Sequence, residues 1–391
     1  MPTMRRVAAL CAALLVLAGC SDSRGRHEDR SSRTSRPDGN AAAPGWSYDY
    51  TGQSTNASFT DIAAASADDA WAVGKSPVTG WVDDQQTLLF HYSGKVWRPY
   101  DLPSELRRRL DELPTVRLDS SGPGDVWLFA GVLTNPDRSR PPLAAHWDGT
   151  AWRTVRLPRD FPQIVRGAAV FGPEDAWIVD GSRTAWHWDG HQWRASRLPG
   201  RAQALAGVSG RDLWAVGSEL TPEANPGLAG AHWDGSQWTE TTMPDLAPGP
   251  KGDPHYGELT RVIAVSAEDV RAFGTVSSEG GDTDTYFAPL AVRWDGSRWK
   301  EEDRPPCCAT GGIAGGLLLT PKRYLTASGE ARRIAQPHCS TSRSGKRGCG
   351  QHLELEDYAA VPGTRQVWGV GSLRGGTPPL RPVIVRLSTP R

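Results

Sequence analysis

Long apolar runs are all but missing from this 391-residue chain. The one that stands out, Val7 to Leu17, falls short of the roughly 20 residues that a membrane-spanning helix needs. Net charge is missing as well, since 44 basic residues face 44 acidic ones, and that balance argues against a chain that grips nucleic acid electrostatically. Lysine is scarce, at six positions (75, 95, 251, 300, 322 and 346). Outside the repeats described below there is no Ser/His/Asp arrangement, no Cys-x-x-Cys spacing and no glycine-rich phosphate fingerprint, so neither a cofactor nor a metal is expected.

What is present begins with an export signal. Arg5 and Arg6 precede the apolar run, and Leu17-Ala18-Gly19-Cys20 follows it. That tetrapeptide resembles the bacterial lipobox, which implies that residues 1–19 are removed and that Cys20 is lipidated, with acyl chains such as palmitate, as the new N-terminus. Removal takes two basic residues and no acid, leaving 42 against 44, a charge of −2. Residues 20–45, rich in Ser, Arg, Asp, Gly and Pro and without apolar periodicity, read as a disordered tether. Its root-mean-square reach would be roughly 25–30 Å. The expected location is the outer face of the cell membrane.

Residues 46–391 repeat themselves. An Asp-x-Trp-Ala-Val-Gly-like strand is followed by a segment ending in Trp-Asp-Gly-x-x-Trp and Leu-Pro, clearest at Leu143 to Pro158 and Thr184 to Pro199. The strand signature recurs at Trp71, Trp127, Trp177 and Trp214, with Arg271 in its place in a fifth unit, at Tyr324 in a decayed sixth, and at Trp368. Seven units of about 49 residues, each reading as four short strands, predict an all-β, seven-bladed β-propeller. The last unit lacks its fourth strand, and Trp46-Ser-Tyr-Asp-Tyr has the pattern of the missing one. The N-terminal strand is therefore expected to complete the seventh blade and close the ring.

The repeat absorbs most residues that would otherwise suggest chemistry. Fifteen of the 17 tryptophans occupy repeat positions, and His91, His146, His187 and His232 all precede the aromatic that ends the third strand, so packing is their expected role. The Asp-Gly pairs at 148, 189, 234 and 295 read as hairpin turns. Length variation is confined to the connections from second to third strand (Ser76 to Gln86, Val132 to Pro142, Ser218 to Gly227, Val276 to Phe287, Ser372 to Arg381) and from fourth strand to next blade (Ser104 to Leu113, Asp245 to Gly257). In an up-and-down blade these emerge on one face, which marks it as the binding surface.

On that face Trp81 is a candidate partner contact, with Tyr286 and Phe287 beside an acidic stretch from Glu279. Ten residues before each strand signature stand Asp61, Arg117, Gly167, Ala204, Arg261, Ala314 and Tyr358, on the strand that should line the channel. With Arg166, Arg117 and Arg261 would form a basic channel mouth suited to an anion. Cys307, Cys308, Cys339 and Cys349 are expected to form disulfides in an exported protein. Pairing Cys339 with Cys349 across Ser340 to Gly348, placed between the third and fourth strands of the sixth unit, leaves Cys307 with Cys308; cross-pairing is the alternative.

The motifs Asp69-Ala-Trp-Ala-Val-Gly74 and His146-Trp-Asp-Gly-Thr-Ala-Trp152, with the arginine-for-lysine bias of a GC-rich genome, resemble the repeats of exported actinobacterial β-propeller proteins that are kelch-like or galactose-oxidase-like in architecture. The kelch Gly-Gly doublet and the sialidase Asp-box are absent, so no functional residue carries over. The expected function is a monomeric, membrane-tethered, non-enzymatic binding or scaffold module for an envelope protein or a cell-wall glycan. The alternative is a glycan hydrolase or lyase using acids of the long-loop face, among them Asp83, Asp84, Asp253 and Glu258.

Overall fold

The computed structural model describes residues 44–53, 56–77, 85–132, 140–219, 227–246, 255–280, 284–302, 311–313, 316–326, 330–337, 352–375 and 380–388. They form seven four-stranded antiparallel sheets, each a meander of strands A to D. Strand A of each blade faces a central channel and strand D lies at the rim. In the seventh sheet the N-terminal strand Gly45–Thr51 takes the place of strand D, pairing with Leu380–Ser388 through Trp46↔Leu387 and Tyr48↔Val385. The rim strands of the other blades are three to five residues long, which leaves little unpaired edge for another chain to join.

The core lies between blades, and the repeat explains it. In an Asp-x-Trp strand the two side chains are two residues apart and share one face. Register places a strand-C histidine directly opposite the tryptophan, as in Trp71↔His91 and Trp177↔His187. The two rings stack, at 4.1 Å for both pairs. The histidine Nε2 meets the aspartate carboxylate at 2.9 Å for His91–Asp69, 2.7 Å for His146–Asp125, 2.9 Å for His187–Asp175 and 2.8 Å for His232–Asp212.

The following blade encloses the same tryptophan. Trp177 meets Trp233 at 5.1 Å and, edge-on, Trp238 at 5.8 Å; Trp71, Trp127 and Trp214 meet their counterparts in the same way. Trp368 of blade 7 meets Tyr92 and Trp97 of blade 1, so the ring closes through the contact that builds it. These five strand-B tryptophans are at most 2% exposed.

Four local expectations change. Tyr324 lies on strand C of blade 6 (Arg323–Thr326), and strand B is Gly316–Thr320, because all four strands of this blade fit within Gly311–Arg333. Positions 339 to 349 therefore follow strand D, in the connection to blade 7, and are not an insert between strands C and D. The stretch Val276 to Phe287 is mostly ladder, since strands B and C of blade 5 pair as far as Gly280↔Asp284. The connection from blade 1 to blade 2 contains a helix, α1 (Ser104–Asp111), held by Leu106 and Leu110 one turn apart on its buried side. Two apolar residues form too short a pattern to announce a helix.

Blade 7 has Gln366 where strand B of blades 1 to 5 carries the aspartate, and Arg386 where blades 1 to 4 carry histidine. Arg386 lies 4.8 Å from the Trp368 ring centre and donates through Nε (3.3 Å) and Nη2 (2.5 Å) to the Asp49 carboxylate on the closing strand. Asp49→Ala is expected to lower stability by about 1–3 kcal/mol by stranding a partly buried charge, and Asp49→Asn by less. Urea unfolding monitored by tryptophan fluorescence measures both; wild-type midpoints would remove this pair from the closure.

Candidate functional site

The two faces of the ring are built differently. On the face of the A–B and C–D turns, four hairpins repeat one design. The side chains of Asp148, Asp189, Asp234 and Asp295 each accept the N–H groups two and three residues ahead at 2.8–3.1 Å, and the glycine after each aspartate has φ between +87° and +93°. Hydrogen bonds hold these carboxylates below their usual range, the largest contributions coming from Thr150, Arg194, Ser236 and Lys300 in turn.

The opposite face differs from blade to blade. It carries α1, the extended blade 5 hairpin and connections of different lengths, from Asp180–Arg183 in blade 3 to Val132–Pro142 in blade 2. Helix α1 is pinned there by polar contacts that spacing alone does not reveal. Lys75 Nζ donates to Leu110 O (2.6 Å) and Thr87 Oγ1 (3.0 Å), and the Asp111 carboxylate accepts Thr87 N (2.6 Å). Burial pushes the Lys75 ammonium down to about 8.

Between the faces runs the channel, with a cavity of about 430 Å³. Arg117, Arg166 and Arg261 line it, and so do Asp61, Asp119 and Asp357. A residue bulged out of strand A at Thr60, Thr260 and Glu356 sets which neighbour pairs next in blades 1, 5 and 7. By register Asp357 (paired with Val370) occupies the place that Asp61 (Val73) and Arg261 (Phe273) hold, rather than Tyr358, because the A–B turn of blade 7 is one residue longer. Fixed spacing from the tryptophan misses that carboxylate.

The acids offset the arginines. Asp61 accepts Arg117 Nη1 (3.1 Å) and Leu118 N (3.3 Å), and Arg261 Nη2 lies 3.3 Å from Asp357 Oδ1. Asp119 accepts Ser120 N and Val170 N, each at 2.8 Å. Burial, with the nearby Asp357 charge, pushes Asp61 up to about 8, and burial pushes Asp119 up to about 7. The arrangement can hold a small polar or charged group, with its carboxylates able to donate as well as accept.

Trp81, Asp83, Asp84, Asp253 and the cysteines Cys20, Cys307, Cys308, Cys339 and Cys349 lie outside the described residues. Tyr286 and Phe287 fall on strand C of blade 5, opposite Ser278 and Ser277. Glu258 is exposed on strand A of blade 5, opposite Thr275. Among the described residues no group of three or more His, Cys, Asp or Glu side chains is arranged to hold a metal ion.

A carboxyl whose folded pKa is raised above its unfolded value favours the folded state while protonated, and that preference is lost as pH rises through the folded pKa. Asp119→Asn keeps one acceptor oxygen and cannot ionise. The stability gap between wild type and this variant should be widest below about pH 4, where the carboxyl is protonated in both the folded and the unfolded chain, and should narrow as pH rises to about 7, as read from urea midpoints. A gap that does not change with pH would show that Asp119 ionises as an exposed carboxylate does.

No family model matches the chain and no curated protein matches it. Solved structures do. The β-propeller domain of the trilobed protease from Pyrococcus furiosus, described as having an open velcro topology, aligns with a TM-score of 0.50 at 10% identity over 86% of this chain and 96% of that one. A protein of unknown function from Dyadobacter fermentans aligns at 0.48 and 12% identity (89% and 99%), and YCF48 from Cyanidioschyzon merolae at 0.47 and 13% (88% and 98%). At these identities the likeness is one of fold, and the chain has the fold of a seven-bladed β-propeller whose ring is closed by its N-terminal strand.

Proposed function

We propose that this protein is a lipid-anchored, extracytoplasmic binding propeller that holds an envelope protein or a cell-wall glycan against its long-connection face. The observation that carries the reading is the asymmetry between faces. One carries four near-identical Asp-Gly hairpins; on the other the connections differ in length and in charge, and one of them holds helix α1. Packing constrains both ends of the strands alike, so a difference concentrated at one end fits a surface selected for recognition. The tether from Cys20 to Gly45 would leave such a ring free to reorient just above the membrane.

A photo-crosslinking residue introduced in place of Trp81 or Asp137, on the long connections, should give discrete adducts in intact cells. The same residue in place of Thr150 or Ser236, on the hairpin face, should not. Adducts from both faces alike, or from the hairpins alone, would overturn the assignment. Separately, Cys20→Ser should move the protein from the membrane fraction into the medium, and retention would contradict the lipid anchor.

A further inference from the structure

Blades 2 and 3 close with the same tripeptide, Arg156-Leu157-Pro158 and Arg197-Leu198-Pro199, yet the two fold differently. In blade 3 strand D stays paired beyond its named ladder: Leu198 N donates to Arg183 O at 3.0 Å, and Leu198 is buried. In blade 2 the ladder ends at Ala144↔Val155. The carbonyl that would take the Leu157 N–H in the same register is that of Pro142, and it accepts Arg109 Nη2 from α1 at 3.2 Å instead. Leu157 is left half-buried, and a groove of about 1070 Å³ lies between the start of strand C and the end of strand D. That is at or above the upper end of small-ligand clefts, roughly 300–1,000 Å³, and is large enough for a stretch of chain.

The lining is apolar at the base and basic at the rim. Pro142, Leu157 and Pro158 are half-buried, and Phe161 beneath them is fixed against Trp186 (5.0 Å) and Trp193 (5.4 Å). Arg109, Arg156 and Arg159 line the groove against one acid, Asp160, a local excess of two positive charges (three minus one) on a chain that is neutral as a whole. Arg156 and Arg159 are exposed, and among the described residues neither has an ion-pair partner. Each can therefore offer a full guanidinium fork to a carboxylate. Phe161, the single aromatic among the lining residues, is buried, so no flat ring is presented for a sugar to stack on.

We propose that this groove on the long-connection face takes an extended acidic segment of a partner protein, its carboxylates on Arg156 and Arg159 and its apolar side chains against Pro142, Leu157 and Pro158. The proposal rests on the binding reading above and names the partner's chemistry.

Fluorescence anisotropy with the full chain and a labelled eight-residue peptide of alternating glutamate and leucine tests it. That peptide should bind saturably, and more weakly as salt rises. Its lysine–leucine counterpart should not bind. Arg156→Glu with Arg159→Glu should lower the affinity at least tenfold with an unchanged unfolding midpoint, and Leu157→Asp should lower it without touching the rim charge. Equal binding of both peptides, no binding of either, or indifference to the charge reversal would overturn the proposal. So would binding of an oligogalacturonate in place of the peptide, which would make the groove a site for anionic glycan. If crosslinks from position 81 persist while the peptide fails to bind, the groove is wrong and the face is right.

Discussion

A tryptophan on strand B, stacked on a histidine from its own sheet and enclosed by two aromatics from the next, is the contact on which the ring depends. It joins what is local to what is global. The aspartate two residues before the tryptophan takes the histidine Nε2, and in blades 2 and 3 also the tryptophan Nε1 at 3.1 and 2.8 Å. The stack is therefore held inside one blade before its neighbour arrives. The outer faces of that tryptophan are what the neighbour meets, at ring separations of about 5–6 Å, and each such pair contributes roughly 0.5–1.5 kcal/mol beyond burial.

Where the repeat fails, electrostatics replaces aromatic stacking. In blade 5 both stacked rings become arginines, and the retained Asp269 lies 2.9 Å from Arg293 and 3.6 Å from Arg271, which also reaches Glu302 at 3.4 Å. In blade 7 the cation moves onto the ring face and its acid moves to the closing strand, so the ion pair that completes the unit also fastens the two ends of the propeller. One contact of blade 7 spans blade 6 and another ties to it. Arg261 of blade 5 reaches Asp357 of blade 7, and Trp46 donates through its main chain to Ala335 O (3.0 Å) and through its indole to Pro321 O (2.7 Å).

The architecture was legible in the sequence because it is periodic. Trp71, Trp127, Trp177, Trp214 and Trp368 recur with their partners, and period and count together imply a closed ring of sheets. Blade 6 was misread at Tyr324 because a tyrosine in a compressed unit resembles a worn tryptophan, while the Gly-Leu-Leu-Leu-Thr of the actual strand B carries no signature. The channel was legible for Asp61, Arg117 and Arg261, which fixed spacing finds, and for Arg166 beside Gly167, and illegible for Asp357, which one extra turn residue displaces. Asp119 and the Lys75 clamp on α1 are illegible because Val170 N and Leu110 O, the partners that join them to neighbouring elements, are backbone groups, and backbone partners leave no pattern in side-chain spacing.

The channel carboxylates bear on where recognition resides. Asp61 and Asp119 each take a main-chain N–H from the inner strand of the next blade, Leu118 and Val170 respectively, at a junction where no sheet ladder runs. They join blades at the axis, as the tryptophans do further out, so much of the channel's charge is committed to holding the ring. An anion entering there would compete with those bonds, whereas Arg156 and Arg159 at the rim have no ion-pair partner among the described residues. The same repeat that needs its inner strands for closure leaves its outer corners free to differ. A sequence change at the rim costs the fold little, and the contrast between Leu157 and Leu198, which share the tripeptide Arg-Leu-Pro and differ in pairing, is what such freedom looks like within one chain.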